Sequence, residues 1–141
     1  MEPNEVPNPR PPVDIRELAA IFAGGALGAV IRTALIEAAP AKGGSWPWAT
    51  FAVNVVGSFL LGYFVCRLQE RLPVTAYRRP LLGTGLCGAL TTFSTFQLDL
   101  LHLLDHDRLL LAAVYAAGSI GAGFLGLLIG TNVVRRARLT W

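Results

Sequence analysis

Charge is scarce in this chain. Only nine acidic and twelve basic residues stand among 141, and 53% are apolar. With a mean hydropathy of +0.51, that balance excludes an ordinary soluble domain of this size and fits a one-domain membrane protein. Cysteine is as rare: Cys66 and Cys87 both fall inside apolar runs without metal-ligand spacing. They read as small buried hydrophobes and not as a disulfide. No carboxylate is expected deep in an apolar run, since Glu17 and Glu37 lie at run ends and Asp99 near one. There is no Ser-His-Asp set, phosphate-binding loop or paired intramembrane carboxylate, so an enzyme reading has no support. The N-terminal stretch lacks a short apolar region followed by a cleavage site, so no signal peptide is expected.

What is present is apolar length. Residues 1–17, with Pro3, Pro7, Pro9, Pro11 and Pro12, form an expected disordered tail, and residues 135–141 a basic one. Between them lie four runs long enough to cross a bilayer: Leu18–Ile36, Trp48–Leu68, Leu81–Leu104 and Arg108–Val134. The expected fold is an all-α membrane protein of four transmembrane helices with short loops. Gly24 and Gly28 in the first run, and Gly118, Ala122, Gly126 and Gly130 in the last, give small faces for close helix contact. Trp46 and Trp48 are placed as interfacial anchors. In the second run Thr50, Asn54 and Ser58 recur every fourth residue, a polar stripe along one face.

The third run is the unusual one. Its middle reads Gly85-Leu-Cys-Gly-Ala-Leu-Thr-Thr-Phe-Ser-Thr-Phe96, with four hydroxyls in five residues. Hydrocarbon satisfies no polar group, so such a cluster belongs inside protein or along a polar path. Gly85 and Gly88 allow the backbone to leave helical geometry there. A helix broken at mid-membrane exposes carbonyls from its first half and N–H groups from its second, the usual parts of an ion site. A plain Ser/Thr-rich helix bonded to its own i−4 carbonyls is the competing reading, which the density of hydroxyls disfavours.

Other side chains divide in the same way. Asn54 is either glue between helices or pore lining, and its alignment with Thr50 and Ser58 favours the pore. Arg32 either snorkels to the interface or gathers anions at a vestibule. His102 and His106, one turn apart among aspartates, have a possible metal-ligand spacing, but a span end beside a loop is equally a solvated terminus. Phe93 and Phe96 are ordinary packing residues unless their positive ring edges face a channel, where they attract a small anion without a full charge. With Ser94 and Thr95 as donors and backbone N–H groups at the break, this chemistry suits a small, hard, strongly hydrogen-bonding anion.

Three segments carry a family resemblance: Gly28-Ala-Val-Ile-Arg32, Asn54-Val-Val-Gly-Ser-Phe-Leu-Leu-Gly62 and Gly88-Ala-Leu-Thr-Thr-Phe-Ser-Thr-Phe96. In this order they resemble the signatures of the CrcB/Fluc fluoride channel family, over about Leu18 to Val134. The resemblance implies a fluoride-selective exporter, an antiparallel dimer with two pores. It implies that Phe93 and Phe96 coordinate fluoride by their edges and that Asn54 lines the pore. It also implies a hydroxyl track of Ser94, Thr95, Tyr115 and Ser119, with Arg32 at the vestibule. A structural sodium ion at the dimer centre would take the backbone carbonyls of Gly88 and Thr91. The chain departs from the family pattern at Asp99, where a glutamate is usual, at Thr33, and in its proline-rich tail.

The alternative is a small multidrug-type cation/proton antiporter, also four spans, which needs a carboxylate deep in a span. A purely structural membrane subunit would leave the hydroxyl cluster unexplained. Charge placement adds an orientation. Arg10, Arg16, Arg67, Arg71, Arg78, Arg79, Arg135, Arg136 and Arg138 fall on the side of both termini, and only Lys42 and Arg108 on the other. Both termini are therefore expected on the cytoplasmic face of the cell membrane. So strong a bias fits one half of a heterodimer with a related chain better than a homodimer inserted both ways.

Overall fold

The computed structural model describes residues 14–71 and 77–136, and among them the fold is entirely helical. Most of the proline-rich tail, the middle of the Gln69–Pro80 loop and residues 137–141, including Arg10 and Arg138, lie outside the described residues. Among the described residues three helices are long and apolar enough to cross a membrane: α1 (Ile15–Ala38), α2 (Trp48–Arg71, of which Trp48–Leu68 is the spanning part) and α5 (Leu109–Arg136). The helix α1 starts earlier than the apolar run because the Asp14 carboxylate accepts the Arg16 N–H at 2.9 Å, so residues 15–17 are helix and not tail. At the other end Arg135 and Arg136 close the last turn of α5, where cations suit the helix dipole.

The third apolar run is not one helix. Pro80–Cys87 winds as a wide π-helix, Gly88–Leu90 continues as the single turn α3, and α4 restarts at Phe93 and runs to Asp105. The break falls on Thr91 (φ −74°, ψ 148°) and Thr92 (φ −144°, ψ 119°), both extended. The two upstream glycines are not the point of departure, as the sequence had led one to expect. Gly88 keeps right-handed helical angles (φ −63°, ψ −34°). Gly85 serves close approach instead: a Cβ there would sit 2.6 Å from the Ile21 carbonyl oxygen of α1. Gly24 and Gly28 return the contact, buried against the Leu81 and Leu86 carbonyls. The small face of α1 thus docks the π-helical segment backbone to backbone.

A second pair forms around α2 and α5. Gly62 meets the Leu127 carbonyl, Gly130 the Phe59 carbonyl, and a Cβ on Gly126 would lie 3.0 Å from the Val55 oxygen. The small ribbon of the last run is therefore a packing surface over Gly126 and Gly130. Nearer the start of α5, α4 packs against it through Phe96, Leu103, Ala112 and Tyr115, all buried. Trp46 joins this cluster, its ring edge-on to Tyr115 at 5.2 Å, whereas Trp48 is 68% exposed. Of the two expected interfacial tryptophans, only Trp48 faces outward. Phe22, Val30, Ile120 and Phe124 are also exposed, as an apolar outer surface in contact with lipid requires.

Candidate functional site

The break is built by a clamp from the neighbouring helix. Asn54, in the first third of α2, accepts the Thr92 backbone N–H on its Oδ1 at 2.7 Å and donates from Nδ2 to the Thr92 carbonyl at 3.1 Å. One side-chain amide thus satisfies both polar groups of an extended residue that is only 6% exposed. An unbroken helix would have sent the Thr92 N–H to the Gly88 carbonyl, four residues back. Asn54 takes that donor. In the same way the Thr95 N–H goes to the Thr92 hydroxyl at 3.2 Å and not to the Thr91 carbonyl. Gly88 and Thr91, the two carbonyls implied as cation ligands, are thereby deprived of their helical donors.

Thr92 caps α4 and gathers the hydroxyls around itself. Its Oγ1 donates to Thr95 Oγ1 at 3.0 Å and lies 3.3 Å from Ser94 Oγ. Thr91 Oγ1 donates back to the Cys87 carbonyl at 3.1 Å. The cluster is therefore partly self-satisfied: Ser94 and Thr95, in the first turn of α4, gather on the hydroxyl of the N-cap Thr92. They do not line the cavity beside the break. That cavity, of about 280 Å³, is bounded by Asn54, Ser58, Thr91, Thr92, Phe93, Phe96 and Ser119. Its two phenylalanine rings stand 5.8 Å apart at an interplanar angle of 31°. Phe96 is buried and Phe93 is 70% exposed at the open rim, near Ile120, which is 68% exposed.

Behind Phe96 a polar line runs away from the cavity. The Tyr115 ring lies 5.4 Å from that of Phe96 and is fully buried. Its hydroxyl donates to Asp99 Oδ2 at 3.2 Å, and its other polar neighbours are Thr50 and Ser119. Ser119 Oγ is buried and has no hydrogen-bond partner among the described residues. A buried hydroxyl left unpaired beside a polar cavity is a free donor for whatever enters. Arg32 lies on α1, half-buried, and is not among the residues that bound the cavity. Among the described residues no group of three or more His, Cys, Asp or Glu is placed to hold a metal ion.

Against this geometry, the sequence profile of the family described as "CrcB-like protein, Camphor Resistance (CrcB)" matches residues 19–131. The chain belongs to the CrcB family. It is similar to the fluoride-specific ion channel FluC 1 of Mycolicibacterium paratuberculosis, 58% identical over 126 residues, covering 89% of this chain and 96% of that one. The FluC 1 protein of Mycobacterium bovis is 57% identical over the same coverage. A distant relative, the fluoride-specific ion channel FluC of Ignicoccus hospitalis, is 38% identical over 122 residues, 86% of this chain and 98% of its own. The family match takes in Asn54, the break, both phenylalanines, Tyr115 and Ser119, so the whole site lies within the CrcB segment.

Two parts of the site escaped sequence reasoning. Asp99 was expected near a solvated span end, with His102, Asp105, His106 and Asp107. The structure buries it, 9% exposed, in the middle of α4. The signal was its spacing, three residues after Phe96 and four before Leu103, which puts all three on the inward face. Thr92 went unremarked among four hydroxyls. Thr92 is the N-cap and the one hydroxyl-bearing residue of the four that is buried, and only its backbone pairing with Asn54, 38 residues away, distinguishes it.

Proposed function

We propose that this CrcB-family chain is a fluoride-selective ion channel that lets fluoride leave the cytoplasm down its gradient and so confers resistance to it. The observation that carries the reading is the cavity at the break, where two phenylalanine rings, an amide and an unpaired serine hydroxyl converge. The names of relatives at 57–58% identity support it. Fluoride entering a low-dielectric path must exchange its water for donors. The ring edges of Phe93 and Phe96 offer weak positive potential without trapping the ion. Ser119 contributes an uncommitted O–H, whereas the Tyr115 proton is already given to Asp99. Asn54 holds the break open by clamping Thr92 and presents its amide to the same cavity.

The cavity is open beside Phe93, and a lipid-facing cleft lined by Asn, Ser and Thr is costly in hydrocarbon. A second, antiparallel subunit would cover it and give two pores. Oxygen donors freed from helical bonding suit a hard cation, so the Gly88 and Thr91 carbonyls would hold a structural sodium ion at the subunit junction. When bound, that ion supplies fixed positive charge to the converging backbones. The basic bias of the terminal side supports a topology with both termini in the cytoplasm.

The buried Asp99 weakens one argument against a proton-coupled cation antiporter, the want of a carboxylate within the membrane. Its pairing with Tyr115 and the nature of the relatives nevertheless favour the channel. Fluoride efflux from liposomes holding the purified protein tests the choice, with chloride and an ethidium-like cation as comparisons.

A further inference from the structure

The glycine contacts close two helix pairs, α1 with the π-helical segment and α2 with α5, and leave a seam between the pairs. A groove of about 500 Å³ runs along that seam. Ile31 and Leu35 of α1 form one wall, Ala52 and Val56 of α2 the other, and the buried Val53 and Leu90 lie beneath. Among the described residues, none that borders the groove is charged, and its only polar side-chain group is the Trp48 ring N–H. The groove begins at Trp48, beside the loop that joins α1 and α2, and ends at Leu60, near the middle of the spanning part of α2. At ~1.5 Å per residue, the stretch from residue 48 to residue 60 is about 18 Å long, close to the ~15 Å depth of one leaflet's hydrocarbon. Trp48 stands 68% exposed at the open end, its ring 5.6 Å from that of Trp46 and edge-on to Phe51 at 6.0 Å. An indole so placed marks the headgroup level of a membrane.

We propose that this groove holds one acyl chain of a membrane phospholipid, drawn on the orientation argued from charge from the leaflet that faces away from the cytoplasm. A second copy of the chain is the rival occupant, and two observations count against it. A groove ~18 Å long and one helix-to-helix spacing, ~10 Å, across offers roughly 180 Å², against about 800 Å² per partner in a stable interface. The groove also turns away from the break cavity. Asn54, Ser58 and Leu61 border that cavity, whereas Ala49, Ala52, Val56 and Leu60 lie roughly half a turn round α2 from them. A partner that covers the cavity therefore leaves the groove to lipid.

Lipid tails are as apolar as leucine, so no hydrophobic gain drives the chain in. Dispersion does: atoms along an unfilled groove lack partners on one side, and a fitted chain supplies them over its whole length. Chain length is thus what the site recognises, and the headgroup stays at the Trp48 end. The chain also backs Leu90, next to Thr91 where the third run breaks, so it braces the seam. The site does not depend on which ion the protein conducts.

The test is native mass spectrometry of the full-length protein, washed in mild detergent and then given a phosphatidylglycerol with sixteen-carbon chains. One lipid per subunit should stay bound, and it should raise the unfolding midpoint in detergent by a few degrees. The same headgroup on six-carbon chains should do neither. Equal retention of the short-chain lipid would mean that the headgroup is what binds, and would overturn the chain site. Ala52→Phe, exposed in the groove, and Val56→Phe, 51% exposed nearer its inner end, each fill it with a ring. Both should lose the retained lipid and the lipid-dependent rise, while Ala23→Phe, exposed on α1 two turns before Ile31, keeps both. The chain-length comparison needs no variant, so it decides even where an added ring unfolds the protein. No lipid on the wild type, or lipid kept by both filled variants, overturns the site. Filled variants that lose a dimer, with no lipid on the wild type, would give the groove to a second copy and overturn it too.

Discussion

Replacing Asn54 by aspartate changes one atom group and tests the clamp and the pore together. The carboxylate can still accept the Thr92 N–H that Oδ1 now takes at 2.7 Å. It cannot donate to the Thr92 carbonyl, which loses the 3.1 Å bond and faces an oxygen instead. Leaving that buried carbonyl unpaired costs about 1–3 kcal/mol, and partial burial of a new charge adds to it. The expected loss of stability is therefore about 2–4 kcal/mol. The same charge sits in the cavity and repels fluoride, so efflux should fall to the level of protein-free vesicles. Asn54→Leu separates the two effects, since it removes both bonds to Thr92 but adds no charge. It should lower the unfolding midpoint in detergent by at least as much as aspartate does. Wild-type efflux together with a wild-type unfolding midpoint in Asn54→Asp would refute the clamp and the pore role alike.

The remaining predictions concern the rings, the cation and the partner. Phe93→Ile and Phe96→Ile should each cut fluoride efflux sharply, since isoleucine fills similar space without a positive edge. Because Phe96 is buried against Tyr115 and Phe93 is 70% exposed, only the Phe96 variant should also lose stability, by about 1 kcal/mol. Normal efflux in both would remove the phenylalanines from the mechanism. Reconstitution without sodium should weaken dimerisation or flux, measured by cross-linking and efflux, and complete indifference to sodium would discard the central cation. Expressed alone, a fixed-topology half of a heterodimer should give little fluoride resistance, restored by a related chain of opposite charge bias. Robust resistance from this chain alone, with C-terminal tags on both membrane faces, would instead indicate a homodimer of dual topology.

Much of the architecture was legible because it rests on local pattern. Apolar length marked the spanning helices, and Gly24, Gly28, Gly126 and Gly130 lie where small residues let backbones touch. The third run was read as broken from its hydroxyls, but the reason for the break is not local. It depends on Asn54 reaching Thr92 across helices, and no window of sequence contains both. Gly85 and Gly88 drew the eye as flexible points, yet tertiary contact with α1 uses Gly85 for closeness and leaves Gly88 helical. Asp99 was hidden by company: four polar neighbours made a solvated end plausible, while its inward spacing with Phe96 and Leu103 decided its burial. The division of labour among the hydroxyls was equally invisible. Ser94 and Thr95 turned to the hydroxyl of the Thr92 cap, and Ser119 kept its donor free.

The central claim is selective passive conduction of fluoride, and one flux measurement addresses it. Liposomes holding the purified full-length chain, alone and with its proposed partner, are loaded with fluoride or chloride and followed with ion-selective electrodes. The account predicts rapid fluoride efflux that needs no proton gradient, with chloride held at the level of empty vesicles. Equal chloride efflux, or proton-driven movement of an ethidium-like cation with no fluoride efflux in either arrangement, would contradict it.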